Sequence, residues 1–108
     1  MKLIEQKCQP IIAGTPPILF NAGKDLAKEI PLWTLEDKSI SREFKFKDFK
    51  HAMQFVNQVA ELAETENHHP DIYISYSRVR LVLSTHKIGE LSLNDFILAS
   101  KIDLLLEQ

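Results

Sequence analysis

Three of the four histidines in this 108-residue chain lie within one stretch, between Glu64 and Asp95. His68 and His69 are adjacent, and His86 follows after an intervening segment. Histidine is the side chain whose ordinary pKa lies nearest neutrality, so it can donate or accept a proton or bind a metal ion. Three imidazoles brought together would therefore form a proton-transfer site or a metal site.

The segment between the histidines has the pattern of a β-hairpin. A strand is predicted from Ile72, a turn near residues 76–78, and a returning strand rich in β-branched and aliphatic residues over 79–85. Pro70 disfavours helical backbone at the residue before it, so the adjacent histidines mark a boundary between a helix and a strand. The antiparallel return then predicts that His86 lies beside that boundary.

The same residues form an ordered series that resembles the signature of the pterin-4a-carbinolamine dehydratase family. That pattern is an acid, three residues, His-His-Pro, an aromatic residue, a third His after a fixed gap, and an Asp. The stretches K-F-K-D-F, L-S-T-H and L-A-S-K-I are also similar to the family, so the likeness extends from about Trp33 to the C-terminus. The resemblance implies that His68, His69 and His86 are the catalytic set. It implies binding or supporting roles for Glu64, Pro70, Tyr76, Ser84, Thr85 and Asp95.

The activity that the resemblance implies is the dehydration of a 4a-hydroxytetrahydropterin to the quinonoid dihydropterin, in support of tetrahydrobiopterin recycling. One group must give a proton to the departing hydroxyl, and another must accept the proton from N5. Imidazoles suit both tasks near neutral pH, and each well-placed transfer accelerates a reaction by about 10²–10⁴-fold. This chemistry needs no cofactor and no metal.

Other functions are compatible with the same residues. Three histidines can hold a catalytic zinc ion with one open position, provided that the turn directs both adjacent rings inward. They can also serve only to hydrogen-bond across the hairpin. Some relatives act as a dimerisation cofactor of a homeodomain transcription factor, so the resemblance also allows a transcription-factor or hydroxylase partner.

Acidic side chains stand near the predicted site. Glu61, Glu64 and Glu66 lie at the end of a predicted helix, where the helix dipole disfavours negative charge, and Glu61 and Glu66 are predicted to be solvated. For Glu64, a solvated position and a role in orienting a histidine both remain open. Asp95 follows Ser92 by three residues, so its predicted role is to cap the last helix, alone or together with a site role.

The elements that position these residues can be outlined from hydrophobic periodicity. Residues 1–18 are predicted to form an irregular arm that lies on the surface over residues 9–17, and a short helix is predicted from an N-cap at Asn21 to Pro31. Strands follow at 33–35 and from Ile40, where apolar residues and Arg42 alternate with polar ones.

Two longer helices complete the outline, one capped by Asp48 and one beginning near Ser92. The fold class is therefore α+β: a single domain over 1–108 in which helices cover one face of a four-stranded antiparallel sheet, in the order α-β-β-α-β-β-α.

Composition excludes several classes of protein. No apolar run is long enough to span a bilayer, and a formal net charge of −2 with scattered basic residues gives no patch for direct nucleic-acid binding. Residues 1–5 do not have the long apolar run of a secretory signal, and Cys8 is the single cysteine, predicted to be a bystander. We therefore expect a cytoplasmic location, or a nuclear one.

The last helix is predicted to be apolar on two sides, with Leu93, Phe96 and Ile97 on one stripe. Because one small sheet cannot cover both sides, we expect self-association. The resemblance implies a homodimer or homotetramer, since family members form dimers or tetramers.

Overall fold

A computed structural model describes residues 2–106 of the chain. A 3₁₀ helix at Leu3–Glu5 is followed by seven elements: α1 (Phe20–Ala27), β1 (Thr34–Leu35), β2 (Ile40–Lys45), α2 (Phe49–Glu66), β3 (Asp71–Ser75), β4 (Arg78–Leu83) and α3 (Leu93–Leu105). The predicted α+β class and its element order are confirmed.

The four strands form one antiparallel sheet in the order β1-β2-β4-β3. Ile40 pairs with Leu83 and Phe44 with Val79, so the apolar residues of β2 and β4 share one face. That face is buried, whereas the alternating residues Glu43 and Lys45 are exposed. The core lies between the sheet and the helices, and its largest fully buried side chains are Phe96, Leu3, Ile30, Ile40, Leu81, Leu83, Leu91, Ile97, Leu98, Ile102, Val59 and Val79.

Arg42 is the charged exception on the covered face of the sheet. Its Nη1 lies 2.6 Å from Asp103 Oδ1, which also accepts the Trp33 indole N–H at 2.8 Å. The guanidinium also stacks over the Phe44 ring, 4.4 Å from its centroid. A largely buried charge is tolerated when it is paired, so this junction ties the sheet to the end of α3.

α2 begins and ends at identifiable caps. The Asp48 carboxylate accepts the His51 backbone N–H at 2.9 Å, which confirms the predicted N-cap. Asn67 ends the helix in the left-handed region (φ 53°), and the His68 N–H donates back to the Ala63 carbonyl at 3.1 Å. The helix therefore stops three residues before Pro70 because of Asn67. Its buried face includes Phe55, whereas Phe49 and Ala60 of the predicted apolar face are exposed.

The predicted bounds of α1 are wrong at both ends. Asn21 is not its N-cap, because Leu19 precedes the first turn and Asn21 lies inside it. The Ile18 N–H donates to the Leu91 carbonyl at 2.8 Å. This hydrogen bond holds the segment that leads into α1 against the segment before α3. The helix ends at Ala27, and tighter turns continue to the buried Ile30.

Residues 9–17 of the N-terminal arm are irregular and exposed or half-buried, whereas the start of the arm reaches the core; residue 1 is outside the described part. Leu3 is only 1% exposed and belongs to the core. Its backbone N–H donates to Glu29 Oε1 at 2.9 Å.

Both apolar stripes of α3 pack largely within the chain, contrary to the surplus surface that was predicted. Phe96, Ile97, Leu98 and Ile102 are each at most 2% exposed, because α2 and the 3₁₀ helix of the arm pack against this helix and these side chains belong to the common core. Exposed apolar area remains only at its margins. No helix among residues 2–106 is both long and apolar enough to cross a bilayer.

Candidate active site

A cleft of about 570 Å³ opens at the end of the sheet where β3 begins and β4 ends. Four segments line it: residues 8–11 of the arm, residues 65–69 at the end of α2, residues 84–87 after β4, and Asn94 in the first turn of α3. The antiparallel hairpin thus brings His68, His69 and His86 to one cleft.

His68 is the most buried of the three histidines, with 11% of its side chain exposed. Its Nε2 lies 2.6 Å from Asp95 Oδ1. The other oxygen of Asp95 accepts the Thr85 hydroxyl at 2.8 Å and the Ser92 backbone N–H at 2.9 Å. Asp95 therefore holds an imidazole and caps α3 at the same time, as the sequence allowed.

The Thr85 hydroxyl lies between two partners. Besides Asp95, it contacts the Ser92 hydroxyl at 2.6 Å, and Thr85 and Ser92 are each only 3% exposed. A fully buried carboxylate costs free energy unless its oxygens are hydrogen-bonded, and here both of them are. This network fixes the position of the Asp95 carboxylate beneath His68.

His69 has a carboxylate partner of its own. Its Nε2 lies 2.5 Å from Glu64 Oε2, and about half of the imidazole side chain is exposed. Glu64 stands on the last turn of α2, before the left-handed cap reverses the chain and directs His69 back towards it. The Glu64 carboxylate is both solvated, with 78% of its side chain exposed, and in contact with His69.

His86 is the most exposed of the three, with 72% of its side chain accessible. Its Nε2 lies 3.8 Å from Asp71 Oδ2 at the start of β3. A compact turn carries this histidine, closed by a hydrogen bond of 2.9 Å from the Thr85 N–H to the Glu90 carbonyl. Gly89, at φ 66°, supplies the positive φ that this turn requires.

Most of the supporting residues named from the sequence lie at or beside the cleft, but Tyr76 lies at the far end of the hairpin. Ser84 lines the cleft, and Pro70 lies between His69 and the start of β3. Tyr76 does not line the cleft. It occupies the two-residue turn between β3 and β4, at the opposite end of the hairpin, about 17 Å away by strand length.

Glu66 is buried and paired, so its predicted solvated position is wrong. Its Oε1 accepts the Cys8 backbone N–H and its Oε2 the Lys101 ammonium, both at 2.9 Å. Burial acts to raise the pKa of the Glu66 carboxyl, but these two hydrogen bonds outweigh it and lower that pKa. The helix dipole of α2 disfavours a carboxylate at this position, but Cys8 and Lys101, from the arm and from α3, stabilise it.

Cys8 lines the cleft next to Glu66. Burial, with the neighbouring Glu66 charge, raises the pKa of its thiol to about 12. A thiol that stays protonated is a poor nucleophile and a poor metal ligand. Cys8 therefore contributes to the cleft through its backbone and its packing.

The geometry does not favour a metal centre. Within residues 2–106, no three His, Cys, Asp or Glu side chains are grouped so that they could hold an ion. The Nε2 atoms of His68 and His69 instead face separate carboxylates.

The sequence matches the family described as Pterin 4 alpha carbinolamine dehydratase over residues 21–105. A protein of Nitrosomonas eutropha, provisionally named pterin-4-alpha-carbinolamine dehydratase, is 44% identical over 96% of this chain and 93% of its own length. A protein of Rubrobacter xylanophilus with the same provisional name is 41% identical over 96% of this chain and 98% of its own length.

The fold is also similar to a solved structure. The crystal structure of a transcriptional coactivator/pterin dehydratase from Brucella melitensis superposes with a TM-score of 0.78 at 30% identity. The match covers 83% of this chain and 98% of that one.

Proposed function

The chain belongs to the pterin-4a-carbinolamine dehydratase family, and we propose that it dehydrates a 4a-hydroxytetrahydropterin to the quinonoid dihydropterin by histidine acid–base catalysis. The observation that carries this proposal is that two cleft imidazoles are each hydrogen-bonded to a separate carboxylate, while the third lies near a carboxylate beyond hydrogen-bond distance. Asp95, Glu64 and Asp71 stand beside His68, His69 and His86 at 2.6, 2.5 and 3.8 Å.

Such pairs can transfer protons in either direction. When a carboxylate accepts the Nε2–H of a neutral imidazole, Nδ1 is left with a lone pair that can take a proton. When the ring is protonated, the same Nδ1 can donate, and the carboxylate stabilises the cation. The elimination needs one group in each state, the first to accept the N5 proton and the second to protonate the departing 4a-hydroxyl.

The test is the rate of dehydration of freshly generated 4a-hydroxytetrahydropterin, followed by absorbance in the presence of a chelator. We expect chelator-insensitive turnover by the wild type and a loss of about 10²-fold or more in His69→Ala and in His86→Ala. The pH–rate profiles of the single variants assign the acid and the base, because each substitution removes one limb of the profile.

The fourth histidine is a matched control. His51 also contacts a carboxylate, Asp48, at 2.6 Å, but it lies at the start of α2 and does not line the cleft. His51→Ala should retain wild-type turnover. If the folded wild type does not accelerate dehydration, the proposal is wrong.

The proposal also covers the physiological substrate, the cellular location and the oligomeric state of the enzyme. We propose that the substrate belongs to tetrahydrobiopterin recycling, that the enzyme works in the cytoplasm, and that it assembles as a homo-oligomer. Comparing a biopterin substrate with other 4a-hydroxytetrahydropterins in the same assay would test the first point.

A protein-binding role is the second candidate function. The Brucella melitensis neighbour bears the words transcriptional coactivator in its name, and α3 of this chain exposes Leu104 and Leu106 at its end, 42% and 43% accessible. Histidine substitutions separate the two functions, because dehydration should fail in those variants while binding to a partner survives.

A further inference from the structure

We propose that residues 8–11 of the N-terminal arm, here called the arm wall, form a substrate-binding wall of the cleft, and that Glu66 and Asn94 position it. This inference rests on the proposed dehydratase function. It adds residues that lie outside the matched family region, which begins at residue 21.

The first observation is the chemistry of the cleft lining. The histidine side is lined by imidazoles and by the polar residues Ser84, Thr85 and Lys87. The only aliphatic side chains among the described lining residues are Pro10 and Ile11, both in the arm wall. Sites for small ring compounds combine a few polar groups with an apolar surface, and the arm wall supplies that surface here.

The second observation is that the arm wall is held by buried polar side chains. Asn94, 5% exposed, makes two reciprocal hydrogen bonds with the backbone of Gln9: its Oδ1 accepts the N–H at 2.9 Å, and its Nδ2 donates to the carbonyl at 2.7 Å. Glu66, 8% exposed, accepts the Cys8 N–H and is neutralised by Lys101. An irregular segment has no helix or sheet partner for its backbone, so these contacts fix its place.

The third observation is that the holding residues are close neighbours of the site residues in sequence. Asn94 precedes Asp95, and Glu66 stands two residues before His68. The same short segments therefore place the imidazole on one side of the cleft and the arm wall on the other. A change in the arm contacts should alter the width of the cleft more than the position of the histidines.

Two adjacent isoleucines give a matched test of direct contact. Ile11 lines the cleft, whereas Ile12 is 70% exposed and does not line it. We expect Ile11→Ala to raise KM and the dissociation constant of 7,8-dihydrobiopterin by about tenfold, as for the loss of methyl groups from a binding pocket, with a smaller change in kcat. Ile12→Ala should match the wild type.

A second pair of variants tests the positioning role. Asn94→Leu removes both hydrogen bonds to Gln9, and Glu29→Gln alters the comparable carboxylate contact to Leu3 at the far end of the arm. We expect Asn94→Leu to raise KM about threefold to tenfold with kcat less affected. Glu29→Gln should leave KM unchanged.

Cys8 provides a readout that a general loss of stability would not reproduce. It is the single cysteine of the chain and lies half-buried within the arm wall. Its rate of reaction with a thiol reagent should rise in folded Asn94→Leu, with melting and circular dichroism confirming the fold. Saturating 7,8-dihydrobiopterin should slow the reaction in the wild type.

The outcomes separate this inference from the proposed function. An active wild type with Ile11→Ala and Ile12→Ala indistinguishable in KM and in pterin affinity would overturn the arm wall and leave the dehydratase proposal intact. A wild type that neither turns over the substrate nor binds 7,8-dihydrobiopterin would overturn both.

Discussion

Asp95 combines two tasks that are usually given to separate side chains. One oxygen holds His68, and the other holds the first turn of α3 through the Ser92 N–H and the Thr85 hydroxyl. A single substitution at this position should therefore affect both catalysis and stability, and the two effects can be measured separately.

We expect Asp95→Asn to lower kcat at least about tenfold, because the amide cannot hold the protonated form of His68 as a carboxylate does. The free energy of unfolding, measured in urea, should fall by about 1–3 kcal/mol as the buried network loses a charged acceptor. Asp48→Asn is the control, since Asp48 also caps a helix and contacts a histidine, but away from the cleft. Its kcat should equal that of the wild type, and an equal loss in both variants would contradict the assignment.

Glu66 makes the stability of the fold depend on pH in a definite direction. Its pKa in the folded chain lies below the ordinary value of 4.5. A carboxyl of this kind stabilises the folded state above its unfolded pKa, and that stabilisation is lost as the pH falls through the folded value. Urea titrations should show the stability of the wild type declining below about pH 4.5.

Glu66→Gln should remove that part of the decline. It should also lower the stability at pH 7 by about 3 kcal/mol, because Lys101 keeps its largely buried charge without a partner. The pKa of Asp48 is also lowered, by the hydrogen bond from the His51 N–H, so the variant keeps the part of the acid dependence that is due to Asp48. Parallel pH curves for the two proteins would show that Glu66 is not the group responsible.

The end of α2 shows how a helix terminus can place site residues. Asn67 takes the left-handed conformation (φ 53°), and this reversal directs His68 and His69 into the cleft. Glycine and asparagine adopt that conformation at lower cost than other residues, for which it costs about 1–2 kcal/mol.

We therefore expect Asn67→Ala to lower the free energy of unfolding by about 1 kcal/mol and Asn67→Gly to leave it nearly unchanged. Thermal melts of both variants, with Asn57→Ala on the exposed middle of α2 as a control, would check this. Equal losses in the alanine and glycine variants at position 67 would exclude backbone conformation as the cause.

Helices and strands could be predicted from the sequence where residues within the element itself determine its conformation. Period-two alternation located β2, the Asp48 cap located α2, and Pro70 with the β-branched run located the hairpin that carries His86. The left-handed end of α2 at Asn67 could also have been predicted, because an asparagine directly after a helical pattern often ends a helix.

The partners of polar side chains in distant segments could not be predicted. Glu66 faces Cys8 and Lys101 only after the arm and α3 pack together, so α2 considered alone gave the wrong environment for this residue. Tyr76 matched a family position but lies at the far turn of the hairpin, because one signature can include residues from both ends of a hairpin.

Self-association of the chain remains a prediction. In the structure the stronger candidate for the interface between copies is the edge strand β3 and not α3. β3 is an outer strand of the sheet, and it exposes Tyr73 and Ile74, 55% and 41% accessible. Such an edge offers unpaired backbone groups to a second strand.

We expect light scattering to give a mass that is a multiple of 12.4 kDa, corresponding to a dimer or a tetramer. Ile74→Lys should reduce that mass, because a charge at the edge opposes pairing with a second strand. Leu104→Lys at the end of α3 tests the alternative interface. A monomeric wild type would show that the exposed edge does not assemble.

The docking of the arm has a consequence for the order of events during synthesis. Residues 8–11 leave the ribosome early, whereas Glu66, Asn94 and Lys101, which hold them in place, are translated much later. The nascent arm therefore lacks these partners until the segment that carries α3 has been synthesised and has left the ribosome. The arm wall can form only after that step, so the cleft is completed after translation of its histidine side.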